Sequence, residues 1–360
     1  MANSPSLSRF VAEVVLPKGL RKDSWRFGHT FFLGEIAFFL MAILIVTGPL
    51  LMLRYTPTPD GAYGSVVAIT QRVPFGALIR GLHRTASYAL LVVLLLHLLR
   101  IFLQAAYKGG RALGWHSGVM LLLLSAGQSY TGYLLPWDQS GYWGTIVGAS
   151  ITSYVPLVGD WMQRFLLGGD EIGALTLLRF YVGHVVLVPG AIVALLSLHF
   201  FSVRKAGLSR PLGAEADRAK AAGAEHAAEH SPTDVALKMA TIFFATLLAL
   251  LVASALLPIA IEPPADPGTP PNPARAAWFA RGLQELVHYS AFWGGIVAPG
   301  VIVALLVALP LVDRGAGRRF TERRGIVLAG SALLVVFLAL TVIGNLFRGP
   351  AWAWQWPWVR

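Results

Sequence analysis

The sequence predicts an all-α integral membrane protein, and three observations indicate this fold class. The chain of 360 residues is 56% hydrophobic and only 13% charged, too apolar for a soluble domain of its length. Seven apolar stretches each approach the ~20 residues that a helix needs to cross a bilayer core of about 30 Å. The basic residues that give a formal charge of +11 are distributed between these stretches, which excludes a clustered nucleic-acid-binding face.

The predicted transmembrane helices follow one another along the whole chain. Their ranges are 31–53, 86–106, 115–135, 182–202, 236–260, 287–312 and 325–346. No charged segment with a short apolar core and a cleavage site precedes the first of them, so this helix is expected to act as its own insertion signal. Basic residues concentrate in alternate connections, which predicts a multi-pass protein of the cytoplasmic membrane with its N-terminus in the cytoplasm and its C-terminus outside.

Composition shifts divide the chain into five predicted parts. These are an N-terminal cytoplasmic segment 1–30, a four-helix domain 31–202, a polar cytoplasmic linker 203–235, a three-helix domain 236–348 and an outer-face tail 349–360. In the linker, His226 and His230 stand four residues apart, which fits either a metal pair or, as we favour, a solvated helix face. The tail reads WAWQWPW, typical of an aromatic belt at the membrane interface, with a partner-docking strip as the alternative.

Four histidines inside predicted helices are the strongest functional signal. His83 and His97 are 14 residues apart on the second helix, and His184 and His199 are 15 apart on the fourth. Such spacings span roughly 21–22 Å and about four helical turns, so each pair lies near one helix face. Two crossings separate these helices, so they run parallel. His83 is therefore expected level with His184 near the outside, and His97 level with His199 near the inside.

This arrangement favours two bis-histidine haems. A single histidine in a membrane helix can be a hydrogen-bonded packing residue, and several could line the proton path of a haem-free transporter. Four at matched spacing on parallel helices better fit paired axial ligands, because neutral imidazole binds iron and can supply both axial positions of an electron-transferring haem. The predicted iron ligands are therefore His83, His97, His184 and His199.

Glycines repeat at the same pitch as the histidines. Gly34 and Gly48 on the first helix are 14 residues apart, and so are Gly118 and Gly132 on the third. A flat macrocycle wedged between helices needs positions without side chains, so each glycine is predicted to clear space for a haem edge. Ordinary small-residue packing between membrane helices is the alternative.

Two arginines flank the histidine helix. Arg80 precedes His83 and Arg100 follows His97, near the two helix ends. Guanidinium groups there are predicted to bind haem propionates, although cationic ends that only extend to the membrane surface would look the same. The chain has no cysteine, which excludes disulfides, iron–sulfur clusters and covalently attached haem within it.

Three segments resemble a known family. RGLHRTASYALLVVLLLHLLR, GYLLPWDQSGYWG and RFYVGHVVLVPGAIVALLSLH resemble cytochrome b of the quinol–cytochrome c and plastoquinol–plastocyanin reductases, and the likeness extends over about 20–348. The 14/15 histidine spacing is closer to the plastid-type branch. Seven helices look like a fusion of the two polypeptides of that branch.

The resemblance implies a four-helix bundle around two b haems, with three further helices beside it. It implies His83 and His184 for a low-potential haem and His97 and His199 for a high-potential one. It also implies a Rieske iron–sulfur protein and a c-type cytochrome as partners, and a homodimer in a larger complex. A second quinone pocket is implied on the cytoplasmic side, at the positions Trp25, Arg26, Arg204 and Lys205.

The quinol oxidation pocket implied by the resemblance lies near the outside, between 137–150 and the loop 258–286. Its candidate residues are Trp137, Asp138, Trp278, Phe279 and Glu285. The family's PEWY reads Ala-Ala-Trp-Phe here, at 276–279, so its proton-accepting glutamate is missing. Glu285 would replace it if burial raises its pKa, but an interfacial, solvated Glu285 is equally consistent with the sequence. The PWD motif resembles the menaquinol-using bacterial branch.

The leading functional hypothesis is thus a redox subunit that oxidises quinol and moves electrons across the membrane between two haems. Its catalytic activity is expected to need partner subunits. The alternative is a non-bifurcating haem wire and membrane anchor that links the quinone pool to another redox module. The missing glutamate is the main support for that alternative.

Overall fold

The computed structural model describes residues 20–212, 229–257 and 259–359, and within them the secondary structure is helical apart from isolated bridges. In chain order the helices are α1 Phe27–Thr30, α2 Leu33–Met52, α3 Pro59–Gln71, α4 Gly76–Leu103, α5 Ala112–Leu134, α6 Gln139–Thr152, α7 Gly159–Leu167, α8 Ala174–Ala206, α9 Pro232–Leu256, α10 Arg281–Tyr289, α11 Trp293–Val312 and α12 Arg324–Leu346.

Helices long and apolar enough to cross a membrane number six among the described residues, namely α2, α4, α8, α9, α11 and α12. The predicted all-α membrane class is confirmed. The third of the seven predicted stretches does form a helix, α5, but falls short of the hydropathy of the others. Its polar side chains include Ser117 and Thr131, which contact histidines of α8. Polar groups that face another helix thus lower the mean hydropathy of α5.

The first four long helices form the bundle that holds the histidines. Helix α2 packs along α4, α5 packs along α8, and α4 contacts α5. Leu40 of α2 and Leu90 of α4 form a buried cluster that Leu250 of α9 joins. The remaining helices cover this bundle from outside: α9 lies against α2 and α4, α11 contacts α5 and α6, and α10 packs on α12.

Three predicted helix starts were wrong, one of them that of α8, which begins at Ala174 instead of residue 182. Helix α4 begins at Gly76 instead of residue 86. Its first turns carry polar residues, such as Arg80, so they do not belong to the apolar stretch that predicted the helix. Arg80 is nevertheless buried inside the bundle. The stretch 287–312 is not one helix. Its chain leaves α10 at Ser290, which has extended backbone angles (φ −162°, ψ 121°), and enters α11 at Trp293.

A π turn in α8 accounts for the unequal histidine spacing. Across Gly183–Leu187 the helix bonds from Val188 N–H to Gly183 O, which takes in one residue more than an α turn. Pro189 follows, and its ring would crowd a carbonyl one turn earlier in a regular helix. Fifteen residues of α8 therefore rise about as far as fourteen of α4. Helix α11 has the same feature across Trp293–Val297, ahead of Pro299.

The linker and the N-terminal segment meet at their described ends. His230 N–H donates to Leu20 O at 3.0 Å, and its ring lies edge-on to Trp25 with centroids 5.3 Å apart. His226 lies outside the described residues, so neither the favoured solvated helix face nor the alternative metal pair is tested. No group of three or more metal-ligating side chains of the usual types occurs in the described ranges.

A buried ion cluster joins the loop after α4 to the α11–α12 connection. Asp313, 6% exposed, accepts from Tyr107 Oη, Lys108 Nζ and Arg323 Nε at 2.5, 2.6 and 2.5 Å. Arg323 Nη2 also donates to Tyr107 Oη. Because each of these groups is paired, removing the one carboxylate leaves two cations without their counter-ion.

Asp313→Ala is expected to reduce the free energy of unfolding by about 3–5 kcal/mol, the usual cost of breaking a buried ion pair. Thermal unfolding of the purified protein in detergent measures this. Asp170→Ala is the matched control, because Asp170 pairs with Arg164 while its side chain is 82% exposed. Equal melting temperatures for the two variants would contradict a clamping role for Asp313.

Candidate functional site: two histidine cavities

Two cavities inside the four-helix bundle each contain two of the four histidines. The first cavity, about 340 Å³, is lined by His83 and His184 and reaches Asp138. The second cavity, about 240 Å³, is lined by His97 and His199. Each cavity thus holds the two histidines that the sequence places at one level. Met41, Leu90 and Ser125 line both cavities and separate them.

The histidine rings of the first cavity are spaced for a shared metal. The ring centroids of His83 and His184 are 6.2 Å apart, and the ring planes are inclined by 71°. An ion between two imidazole nitrogens, with metal–nitrogen bonds of about 2.0–2.1 Å, places the ring centroids roughly 6 Å apart. The separation of the two ring centroids therefore matches that of a pair of axial imidazoles.

Each of the four predicted glycines lies against a histidine ring. The separations between an ideal Cβ on the glycine and the ring Cε1 are 3.4 Å for Gly34 and His97, 3.4 Å for Gly48 and His83, 3.5 Å for Gly118 and His199, and 2.5 Å for Gly132 and His184. From their spacing, these glycines are predicted to clear space for haem edges. In the structure they make room for the imidazoles, and a side chain at Gly132 would force His184 to move.

A hydroxyl residue precedes three of these glycines and contacts the same histidine. The Oγ–Nδ1 distances are 2.8 Å for Thr47 and His83, 3.0 Å for Ser117 and His199, and 3.2 Å for Thr131 and His184. We call these three residues the hydroxyl positions. These three residues were not predicted from the sequence. A Thr-Gly or Ser-Gly pair that recurs after 14 residues, the spacing of His83 and His97, could have identified them.

The hydroxyl positions determine which ring nitrogen is free. Thr47 Oγ1 donates its hydrogen to Ile43 O at 2.7 Å, and Ser117 Oγ donates to Leu113 O at 2.8 Å. Each hydroxyl can then only accept from histidine, so Nδ1 carries the hydrogen. For His184 a carbonyl leads to the same result, because Gln128 O lies 3.0 Å from Nδ1. Nε2 is left with a bare lone pair, the form that binds a metal.

His97 is the exception. Leu33 precedes Gly34, and the buried Nδ1 of His97 has no hydrogen-bond partner in the described part of the chain.

The predicted arginines line the cavities and also bind backbone. Arg80 lines the first cavity and donates from Nη1 to Ile259 O at 3.1 Å. Arg100 lines the second cavity and donates from Nε to His29 O at 3.0 Å. Both place cationic groups at cavity walls, where an anionic substituent of a bound group would be neutralised.

Asp138 is the carboxylate of the first cavity. It caps α6 by accepting from Gly141 N at 2.8 Å and is only 5% exposed. Burial raises the pKa of this carboxyl above its usual range, and nearby Glu262 adds to the rise. The Gly141 hydrogen bond and the cations Arg84 and Arg80 oppose the rise without cancelling it. The residue can therefore take up a proton at a higher pH than an ordinary aspartate.

Only part of the predicted quinol pocket comes together around Asp138. The loop 263–265 runs beside it, with Gln139 N donating to Pro263 O and Ala265 N donating to Trp137 O, both at 3.0 Å. Trp137 itself does not line the first cavity.

Trp278 and Phe279 lie at the edge of the same cavity. The Trp278 ring packs edge-on against Tyr88, a lining residue, with centroids 5.6 Å apart. Phe279 packs in turn on Trp278 at 5.8 Å. Arg84 Nε donates to Tyr88 Oη at 2.9 Å, which joins this aromatic group to the cationic wall.

Glu285 does not have the raised pKa expected of a substitute proton acceptor. It is fully buried and accepts from Arg348, from Trp352 Nε1 at 2.9 Å and from Tyr289 Oη at 3.1 Å. Burial acts to raise the pKa of this carboxyl, but the Arg348 ion pair and the other two hydrogen bonds outweigh it and hold the pKa below its usual range. The alternative prediction, an interfacial Glu285 in contact with solvent, was wrong too, because its side chain is fully buried. Glu285 ties α10 to the C-terminal segment and does not line either cavity.

The second cavity has a polar wall that includes two of the four residues predicted for the cytoplasmic quinone pocket. Trp25 and Arg204 line it, whereas Arg26 and Lys205 do not. Glu35, a carboxylate in the first turn of an otherwise apolar span, was not predicted as a site residue. Glu35 lines this cavity and accepts from Trp25 Nε1 at 2.5 Å. Ionisable groups inside a membrane span are costly and mark functional sites.

Part of the chain that forms the two cavities is similar to known proteins. The family profile described as cytochrome b (N-terminal)/b6/petB matches residues 88–267. Cytochrome b6 of Heliobacterium mobile is 40% identical over 180 residues, 50% of this chain and 84% of the relative. The menaquinol:cytochrome c reductase cytochrome b subunit of Geobacillus thermodenitrificans is 36% identical over 207 residues, which are 57% of this chain and 92% of the relative.

A solved structure extends the likeness over nearly the full length. A chain of a hyperthermophilic respiratory Complex III superposes with a TM-score of 0.77 at 26% sequence identity, covering 93% of this chain and 88% of that one. The fold similarity therefore includes the C-terminal helices, beyond the family match.

The Glu285–Arg348 pair predicts a pH-dependent stability. Because the folded-state pKa of Glu285 is lowered from 4.5, its contribution is fully present above about pH 4.5 and is lost as the pH falls through the folded value. Melting temperature against pH should fall more steeply below that point for the wild type than for Glu285→Gln. Parallel curves for the two proteins would contradict the ion pair.

Proposed function

The chain belongs to the cytochrome b/b6 family, and we propose that it is the dihaem cytochrome b subunit of a quinol-oxidising, bc-type electron-transfer complex. The observation that carries this proposal is the pair of histidine cavities, one beyond the other along a single four-helix bundle. Membership of the family implies b-type haem. The matched menaquinol:cytochrome c reductase subunit supports the quinol and the class of complex.

In this proposal His83 and His184 hold one haem, and His97 and His199 hold the other. Bound haem supplies reversible one-electron redox chemistry. The protein contributes the hydroxyl positions, which keep Nε2 of three histidines unprotonated, and largely apolar walls, which exclude water. Arg80 and Arg100 would neutralise the propionates. Groups held by these two histidine pairs, about 21 Å apart along the helices, would together span most of the membrane.

The first cavity is proposed to face the outside and to oxidise quinol at its rim, near Trp278 and Asp138. Loss of two electrons from quinol releases two protons. Asp138 is the acceptor for one of them, because its carboxyl is buried at the cavity wall and has a raised pKa. His83 and His184 would hold the group that takes one electron, and the other electron would go to an outside acceptor, for which a Rieske protein and a c-type cytochrome are the proposed partners.

The second cavity is proposed to serve a quinone on the cytoplasmic side. Arg204 supplies a positive charge at its wall, and Glu35, which accepts the single N–H of Trp25, supplies a carboxyl able to exchange a proton. Reduction of quinone there takes two electrons and two protons, so a carboxyl in contact with the cavity is chemically suited to it.

A non-bifurcating electron wire is the second candidate. Ala277 replaces the glutamate of the family's quinol pocket, and Glu285 is held in an ion pair, so neither position offers a free base. Proton release per electron separates the two candidates. Bifurcating quinol oxidation releases two protons outside for each electron that reaches the outside acceptor, whereas a wire need not.

Gly132→Ala is expected to remove the haem of the first cavity and to leave the other, because the new methyl group would lie 2.5 Å from His184 Cε1. The haem-to-protein ratio and the reduced-minus-oxidised spectrum measure the loss. Gly190→Ala is the control: this helix glycine has no atom within 4 Å of its Cβ position. A Gly132→Ala protein with the wild-type haem content would contradict the assigned ligand pair.

Asp138→Asn is expected to slow quinol oxidation by about 10²-fold, the lower end of general-base effects. In the wild type the rate should fall as the pH drops through the raised pKa of Asp138, because only the ionised carboxyl accepts a proton. The Asn variant should lose this dependence. Steady-state rates of the complex from pH 5 to 9 test both points, with Asp160→Asn, an exposed residue outside the cavities, as the control. An unchanged pH profile for Asp138→Asn would rule this base out.

A further inference from the structure

The four histidine–glycine contacts repeat one arrangement with a single exception. Thr47, Ser117 and Thr131 stand directly before their glycines and accept from Nδ1 of a histidine across the helix pair. The fourth position is Leu33, before Gly34. An alkyl side chain cannot accept a hydrogen bond, so His97 is the one axial candidate for which this position provides no acceptor.

The backbone does not compensate for Leu33. At Gly132 the carbonyl one turn earlier, Gln128 O, lies 3.0 Å from His184 Nδ1. The corresponding residue before Gly34 is Thr30, which belongs to α1 and not to α2. Phe31 and Phe32, both with φ of 51°, separate the two helices in left-handed conformations. The chain therefore lacks a helical carbonyl in register with His97, in agreement with the unpartnered Nδ1.

A hydrogen bond from Nδ1–H alters the metal affinity of the other nitrogen. It makes the imidazole a more basic ligand and so stabilises the more positively charged, oxidised iron. A histidine without this bond stabilises oxidised iron less, and the reduction potential is higher.

We infer that Leu33, by leaving His97 without an acceptor, raises the reduction potential of the haem in the second cavity relative to the first. The inference rests on the proposed dihaem function and names Leu33 as a positioning residue that acts through His97. Electron transfer from the first cavity to the second is then favourable, in the direction that quinol oxidation at the first cavity requires.

Charged groups near the cavities also affect both potentials. Arg100, Arg204 and Glu35 line the second cavity, and Arg80, Arg84 and Asp138 line the first. An experiment must therefore change one acceptor at constant charge and volume. Threonine and valine have nearly the same shape and differ in the hydroxyl alone, so they form a matched pair at position 33.

The test is a spectroscopic redox titration of the intact haem-loaded complex carrying Leu33→Thr or Leu33→Val. The second haem should have a lower midpoint potential in the Thr variant than in the Val variant, by a several-fold to tenfold change in its reduction equilibrium; tenfold is 59 mV for one electron. The potential of the first haem should not change. Equal potentials in the two variants overturn the inference.

The converse substitution keeps the test decisive if Leu33→Thr does not fold. Thr47→Val removes the acceptor of His83 at constant shape, so the potential of the first haem should rise and that of the second should not. An unchanged first haem would overturn the inference independently. A wild-type protein that binds fewer than two haems would instead refute the proposed function, so the two failures are distinguishable.

Discussion

The structure depends on one arrangement that recurs at three of its four cavity histidines: a buried imidazole needs a partner for Nδ1 and needs space between the helices. A hydroxyl followed by glycine meets both needs, since the hydroxyl accepts from Nδ1 and the missing side chain admits the ring. Helices α2 and α5 carry these pairs, and α4 and α8 carry the histidines. Helix α2 packs on α4 and α5 packs on α8, so the contacts that orient the histidines lie within these two helix interfaces.

Two buried carboxylates hold the C-terminal helices: Asp313 joins them to the loop after α4, and Glu285 joins α10 to the segment after α12. Asp313 follows α11 and Arg323 precedes α12, while Glu285 precedes α11 and Arg348 follows α12. The helix pair α11–α12 is thus held by ion pairs at both of its ends. This arrangement commits Glu285 to structure. Among the pocket residues proposed from sequence, Asp138 is the carboxylate that lines a histidine cavity.

Much of this could be predicted from sequence because it follows from helical periodicity. The positions of the histidines and glycines, and their level along the bundle, depend only on rise per residue and on the direction of each span. The boundary at Gly76, the break at Ser290 and the partner of Glu285 could not be predicted, since each depends on contacts distant in sequence. Arg348 is 63 residues from Glu285. The hydroxyl positions were missed because serine and threonine beside glycine are common in membrane helices of any function.

The central claim is two bis-histidine haems in one chain, and the most direct test is haem stoichiometry with low-temperature electron paramagnetic resonance on the purified wild-type protein. The account predicts two non-covalent b-type haems per polypeptide, both low-spin in the oxidised state as two axial imidazoles require. One haem per chain, a high-spin signal from either site, or no haem would contradict it.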